Sequence, residues 1–190
     1  MQTNERMAHF VGGATGQWRV QSVTTLCGAA WPASEYVSMA QGPAPEVVAP
    51  HWVLRGLTSN ERYVTRAEKS SLLAKQEGLG RPNAHCAALI PIRKNAAWWS
   101  CTQDERRDIL EVQSKHIEIG LRYLPEIARK LHHCRDLESL EPFDFLTWFE
   151  FAPENTNAFE DLLAALRSSR EWSYVEREVD IRLMRVLPVD

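Results

Sequence analysis

The pattern of hydrophobic and polar residues predicts strands along the whole chain. Residues 18–26 and 51–57 are rich in β-branched and apolar residues, which favour extended backbone. Residues 84–93 form an apolar run between turn signals, which is typical of a buried strand. Residues 143–151 carry aromatic side chains on both faces. Residues 174–187 alternate apolar with charged side chains, which predicts a strand with one solvated face.

Three segments have the signals of helices. Residues 70–77 are helix-like and end at glycines. Thr102 and Glu105 form a capping box, in which each side chain accepts a hydrogen bond from the backbone amide of the other residue. The helix that this box opens is expected to run towards His116. Residues 155–167 place apolar side chains at helical spacing, which predicts an amphipathic helix.

The order of these elements predicts an α+β fold. From residue 84 onwards the order is β-α-β-α-β, which is close to the ferredoxin-like pattern with an antiparallel sheet and flanking helices. We therefore expect residues 84–190 to form a ferredoxin-like half. Residues 1–83 are expected to be a reduced copy that supplies further strands. In that copy, residues 62–65 would continue the second strand, and residues 42–50 would form a linker or an edge loop.

Composition limits the classes of function. The chain has 190 residues, of which 44% are hydrophobic and 25% charged, so it can bury a sizeable core. The formal charge of −3 argues against nucleic-acid binding, since phosphate neutralisation needs a basic surface. No apolar run approaches the ~18 residues that cross a bilayer. The N-terminus lacks the regions of a secretory signal, so we expect a cytoplasmic protein.

The cysteines give no indication of a metal site. Cys27, Cys86, Cys101 and Cys134 include no CxxC pair and no zinc-like spacing. We expect reduced thiols that are mostly buried.

One histidine and one arginine stand out on a helix-forming segment. Arg129 follows His116 by 13 positions, and Gly120 and Pro125 interrupt the segment between them. An unbroken helix would separate the two side chains by about 20 Å of rise. Since proline disfavours an unbroken helix, the two residues could approach one object from different sides. A core or surface histidine and a solvated helix arginine remain the simpler alternatives.

Other residues suggest what that object is. Lys94 precedes a tryptophan pair, Trp98 and Trp99, and this combination suits a large flat apolar ligand with an anionic edge. Gln76 is a polar residue in an apolar setting, and a carboxylate at Glu171 could bond the distant nitrogen of a ligating histidine. Core tryptophans, a surface lysine, an exposed glutamine and a helix-end charge are the corresponding alternatives.

These residues, taken together and in order, resemble the chlorite dismutase family. The resemblance covers roughly residues 50 to 186 and includes the segments YLPEIAR, which ends at Arg129, and FLTWFE, residues 145–150. It is similar to the short, dimeric branch, which has a reduced N-terminal half and a dimeric α/β-barrel fold.

The resemblance implies a haem b cofactor and a role for each residue. His116 matches the proximal ligand of the iron, and Glu171 the carboxylate that bonds that histidine. Arg129 matches the distal arginine, and Gln76 a distal glutamine of the short branch. The remaining matches are residues near the haem propionates, namely Lys94, Trp98, the neighbouring Trp99, and Tyr63.

The resemblance also implies a reaction and competing functions. Chlorite would be decomposed to chloride and dioxygen by cleavage of a Cl–O bond, transfer of oxygen to the iron and formation of an O–O bond. One alternative is a coproheme decarboxylase, whose members by resemblance lack an arginine at the position of Arg129. Another is a haem-binding or haem-storage protein without turnover.

We further expect a homodimer. The short first half is expected not to close a complete second barrel, and an unfinished sheet exposes edges that need cover.

Overall fold

The computed structural model describes residues 5–58, 63–135, 137 and 140–187. This part of the chain contains eight strands that form one closed barrel. In chain order the strands are β1 (Met7–Gly13), β2 (Trp18–Cys27), β3 (Tyr36–Gln41), β4 (Trp52–Thr58), β5 (Cys86–Lys94), β6 (Ala128–His133), β7 (Phe145–Phe151) and β8 (Val175–Arg185).

Helices pack outside the barrel. They are α1 (Arg66–Lys75), α2 (Ala96–Ser100), α3 (Gln103–Arg107), a π-helical turn (Asp108–Gln113), α4 (His116–Arg122), α5 (Thr156–Arg167) and two 3₁₀ turns (Pro153–Asn155 and Arg170–Tyr174). Among the described residues, no helix combines the length and the apolar character that crossing a membrane requires.

The strand order around the barrel is β1-β3-β2-β8-β5-β7-β6-β4, and β4 pairs back with β1. Every pair is antiparallel. The second four strands lie in the order fourth, first, third, second, which is the ferredoxin-like order. The first four strands repeat it without intervening helices. The predicted fold class is therefore confirmed, whereas a division between residues 83 and 84 stays a prediction.

The expectation of an unfinished sheet is wrong. Pairing of β2 with β8 and of β4 with β6 joins the strands of the first half to those of the second, so one chain closes the barrel. Three of the strands that close the barrel, β1, β3 and β6, were not predicted. Dimerisation is therefore not needed to cover exposed sheet edges.

The barrel has an apolar interior and an apolar outer face. On β7, Leu146 and Trp148 point into the interior core, whereas Phe145 and Phe149 belong to a second core with α5. This explains why the strand carries aromatic residues on both faces. The interior residues come from strands of both halves, so the two halves share one core.

The outer face of β8 is not solvated, contrary to the prediction. Glu178 and Asp180 are only 2% and 5% exposed. Arg167 of α5 donates to both carboxylates, over 2.8 Å to Glu178 and 2.9 Å to Asp180. Because each carboxylate has a cationic partner, ion pairing offsets the desolvation free energy of burying this charged face under α5.

Two local predictions have different outcomes. Residues 63–65 do not continue a strand, because Thr65 caps α1 in a capping box with Glu68; residues 61 and 62 lie outside the described residues. All four cysteines are free, as predicted, but only Cys134 is fully buried.

Candidate functional site

A deep cavity lies on the outer face of β5, β6 and β7, and α1, α4 and α5 contribute to its walls. Its empty space, part of which is open to solvent, is about 1190 Å³. Seven of the eight predicted site residues line it: Tyr63, Gln76, Lys94, Trp98, His116, Arg129 and Glu171. Residues far apart in sequence are thus brought to one place.

His116 is the first residue of helix α4, and a break in the preceding backbone sets the direction of this helix. The predicted capping box of Thr102 and Glu105 is confirmed. The helix that it opens does not reach His116, because Lys115 adopts the left-handed conformation (φ 56°) and breaks it. Glu111 then accepts a hydrogen bond from the amide of Ile117 over 2.9 Å, which caps the new helix α4.

A buried chain of charges holds the histidine ring. His116 Nδ1 lies 2.6 Å from Glu171 Oε2, and Lys94 Nζ lies 2.8 Å from Glu171 Oε1. Lys94 also donates to the carbonyl of Glu171, and Ser114 Oγ accepts from the amide of Glu171. With Nδ1 engaged, His116 Nε2 has no hydrogen-bond partner in the described part of the chain and is available to the cavity.

Electrostatics keeps this carboxylate ionised. Burial alone would raise the pKa of Glu171, but the neighbouring His116 and Lys94, through electrostatic attraction and hydrogen bonds, outweigh burial and lower the pKa to about 2. The Lys94 ammonium, expected beside a propionate, thus has Glu171 as its anionic partner, and its contact with a propionate stays a prediction.

This shift predicts a pH-dependent contribution to stability. Because the pKa of Glu171 falls from 4.5 to about 2 on folding, the carboxylate stabilises the fold above about pH 4.5 and loses this effect as pH falls towards 2. We expect Glu171→Gln to remove on the order of 3 kcal/mol at pH 7 and much less near pH 2.5. Urea unfolding at several pH values would measure this, with the half-exposed Glu176→Gln as a control. A destabilisation by Glu171→Gln that does not change with pH would contradict the assignment.

Arg129 is on strand β6 and not on a helix, where the sequence analysis had placed it. It pairs with Phe149 of β7, and its side chain lines the cavity. In the described part of the chain, the guanidinium has no hydrogen-bond or ion-pair partner. Burial lowers its pKa to about 10, opposed by the charge of Glu111, so it remains protonated at neutral pH. A cation held without a partner in an apolar cavity is suited to bind an anion.

Gln76 ends helix α1 beside this strand. Its Nε2 donates to the backbone carbonyl of Arg129 over 2.7 Å. The contact ties the end of α1 to β6 and fixes the backbone from which the arginine side chain projects.

The aromatic residues fall into two groups. Trp98 lies in the cavity wall, is 1% exposed, and its indole Nε1 has no partner in the described structure. Tyr63 also lines the cavity, and its hydroxyl accepts from Arg106 over 3.1 Å. Trp99 is the one predicted residue that does not line the cavity. It supports the wall from behind, by stacking on Phe145 and donating to a buried carboxylate, Asp144.

Sequence reasoning missed much of the apolar wall. Leu131 and His133 of β6 line the cavity together with Arg129, at the two-residue period of a strand. That period would have identified them had β6 been recognised. Other wall residues that were not predicted are Val64, Leu72, Ile90, Ile92, Leu110, Ile117, Phe145, Thr147, Phe149, Leu163, Leu166 and Trp172.

The chain is similar to known proteins over most of its length. The sequence profile described as "Chlorite dismutase" matches residues 34–187. The chain is 34% identical over 123 residues to the chlorite dismutase of Ideonella dechloratans, and the match covers 64% of this chain and 40% of that protein. The chain therefore spans less than half the length of that relative.

Solved structures extend the similarity to the fold. A dimeric chlorite dismutase from Nitrobacter winogradskyi is 55% identical, with a TM-score of 0.86 over 94% of this chain and 99% of that one. A mutant chlorite dismutase from Candidatus Nitrospira defluvii, in complex with cyanide, is 27% identical, with a TM-score of 0.59 over 73% of this chain and 56% of that one. From the profile match and these relatives, the chain belongs to the chlorite dismutase family.

Proposed function

We propose that this protein is a haem b-dependent chlorite dismutase, which converts chlorite to chloride and dioxygen. One observation carries the proposal: a histidine with one free ring nitrogen and an unpaired arginine guanidinium line the same apolar cavity. The first is suited to ligate iron, and the second is suited to hold an oxyanion.

The residues present fit a haem group. The cavity walls are largely apolar, as a porphyrin face requires, and His116 offers a ring nitrogen whose partner nitrogen is already fixed by a carboxylate. The unpaired indole N–H of Trp98 and the hydroxyl of Tyr63 are polar groups in the wall that could receive propionate oxygens. In the described residues, no cluster of three or more metal-binding side chains exists.

Each site residue of this chain would then have a separate role. Bound haem would supply an iron centre able to accept an oxygen atom from the oxyanion. Glu171 fixes the tautomer of His116 and makes it a more basic ligand. Arg129 would attract chlorite and, since it stays charged, would hold the hypochlorite that remains after Cl–O cleavage. Gln76 supports Arg129 through its backbone carbonyl.

The competing functions are less well supported. A coproheme decarboxylase would, by resemblance, lack the arginine that the cavity contains at position 129. A haem-binding protein without turnover needs the histidine but gives no reason for an unpaired guanidinium in the cavity wall.

An oxygen electrode separates these functions. Haem content would first be measured by pyridine haemochrome analysis, and chlorite would then be added. Release of dioxygen supports the proposal. Loss of porphyrin propionates with no oxygen from chlorite would indicate the decarboxylase, and neither reaction would indicate storage.

We also propose that the protein is a homodimer. The support is its 55% identity to a structure described as dimeric, with nearly complete coverage of both chains. Since the described strands form a closed barrel, the subunits would associate through side-chain faces and not through strand edges. Light scattering at micromolar concentration should give twice the chain mass of 21.7 kDa. A monomer or a pentamer would contradict this.

A cytoplasmic location is likewise a proposal. All four cysteines are free, which suits a reducing compartment.

A further inference from the structure

The hydroxyl of Ser114 lies between the two chain segments that meet at the histidine. Ser114 is two residues before His116, in the break between the π-helical turn and α4, and it is only 4% exposed. Its Oγ accepts a hydrogen bond from the amide of Glu171 over 2.8 Å, a contact that spans 57 residues of sequence. Ser114 is not among the described residues that line the cavity, so its role is not direct contact with a bound group.

The amide of Glu171 needs a partner from outside its own turn. Glu171 is the second residue of the 3₁₀ turn Arg170–Tyr174, and amides at the start of a helical turn have no acceptor within it. Glu171 is buried, and a buried amide without a partner is costly in free energy. Ser114 supplies the acceptor, and Lys94 Nζ donates to the carbonyl of Glu171 over 3.2 Å. Side chains from distant segments therefore hold the backbone on both sides of the carboxylate.

The segments of His116 and Glu171 are joined at two points. His116 Nδ1 lies 2.6 Å from Glu171 Oε2, and the Ser114 contact joins the backbone of Glu171 to the chain just before the histidine. A single contact would let the carboxylate turn relative to the ring, whereas two contacts fix both distance and angle. Because the strength of a hydrogen bond depends on its distance and angle, the Ser114 contact bears on the bond between His116 and Glu171.

We propose that Ser114 is a positioning residue that sets the strength of the hydrogen bond between His116 and Glu171, and through it the electron donation of His116 to haem iron. The inference rests on the proposed function, since it assumes that His116 ligates haem. Ser114 itself would touch neither haem nor chlorite.

The reduction potential of the haem-loaded protein is the first readout. A strong hydrogen bond to a carboxylate makes the imidazole a more basic ligand, which favours ferric over ferrous iron. Ser114→Ala should weaken this bond and shift the equilibrium towards ferrous iron about tenfold, which raises the potential by ~59 mV for a one-electron couple. Spectroelectrochemical titration measures the shift. A wild-type potential in folded, haem-loaded Ser114→Ala would overturn the proposal.

Further variants separate this role from support of the fold alone. Ser114→Cys keeps a weak acceptor of similar size, so it should give a smaller shift than Ser114→Ala. If Ser114→Ala does not fold, Ser114→Cys decides, and a wild-type potential there would refute the proposal. In the Glu171→Gln background, Ser114→Ala should move the potential little, since the carboxylate through which Ser114 acts is absent. Equal shifts with and without that carboxylate would count against the assignment.

Ser173→Ala is the matched control. This exposed serine lies on the same 3₁₀ turn as Glu171, and its Oγ donates locally to the carbonyl of Arg170 over 2.8 Å. Its removal should leave the reduction potential at the wild-type value. A shift as large as that of Ser114→Ala would show that any change in this turn alters the potential, and would refute a specific role for Ser114.

The haem-free protein gives a second readout. The proton between His116 Nδ1 and Glu171 lies in a short, charge-assisted hydrogen bond and should give an NMR signal far downfield. Ser114→Ala should move this signal upfield and speed its exchange with water, whereas Ser173→Ala should leave it unchanged. An unchanged signal in Ser114→Ala would show that Ser114 does not set this hydrogen bond.

The two proposals can fail separately. A wild-type protein that binds no haem, or releases no oxygen from chlorite, would refute the proposed function, and the NMR signal of the haem-free protein would still decide whether Ser114 positions Glu171. An unchanged potential and an unchanged NMR signal in Ser114→Ala, in a protein that does release oxygen, would refute the role of Ser114 alone.

Discussion

Arg129→Ala is expected to keep its haem and lose most of its chlorite turnover. The substitution leaves His116 and its partner Glu171 intact, so cofactor uptake should be normal. A hydrogen bond to a charged group contributes about 1.5–3 kcal/mol, so kcat/KM should fall roughly tenfold to hundredfold for each such bond to the transition state. Haem titration and oxygen release measure the two quantities in the same preparation.

The same substitution should change what leaves the site. Without the guanidinium, hypochlorite escapes more often, so added methionine, which scavenges hypochlorite, should protect Arg129→Ala more than wild type. Arg129→Lys should lie between them, since it retains the charge but not the planar fork. Lys130→Ala is the matched control, as the neighbouring residue on β6 that does not line the cavity. A fully active Arg129→Ala that gains nothing from methionine would show that Arg129 is not the distal residue.

His116→Ala is expected to lose most of its haem. In the cavity, one ring nitrogen of His116 is bonded to the buried carboxylate of Glu171, which leaves the other available to ligate iron. Haem content per chain and the Soret band would show the loss. Added imidazole should restore part of the binding, since Glu171 remains to orient it.

The exposed His51→Ala serves as the control for that experiment and should bind haem normally. A His116→Ala protein with an unaltered Soret band and normal activity would instead point to another of the six histidines.

Sequence reasoning identified residues that share one cavity better than it identified their contacts. The residue types of His116, Arg129 and Glu171 carry the functional pattern, and the cavity contains all three. Their partners depend on packing between distant segments. The contacts of Lys94 with Glu171 and of Gln76 with the carbonyl of Arg129 span 77 and 53 residues, so no local pattern reveals them.

There are physical reasons why the sequence pattern did not predict β6 and β1. Strand β6 reads ARKLHH, which has no hydrophobic alternation, because its outer face builds a polar part of the cavity and its inner face carries His132. Burial lowers the pKa of His132 to about 3, so this histidine is a neutral core residue. In β1, Gly12 has a low strand propensity, and the indole of Trp52 fills the space beside it. Functional demands and tight packing thus override local propensity in both strands.

The side chains of β6 alternate between the cavity and the barrel interior, and this alternation restricts where residues can be inserted or deleted. Arg129, Leu131 and His133 face the cavity, while His132 packs on Phe10 in the barrel interior. Insertion or deletion of one residue ahead of Arg129 within the strand would exchange these faces, directing the guanidinium into the interior core and Lys130 into the cavity. A change of two residues would preserve the faces but shift the arginine along the strand by roughly 6–7 Å. Length variation should therefore be confined to the loops, and an alignment gap inside this strand would mark a chain without a working distal site.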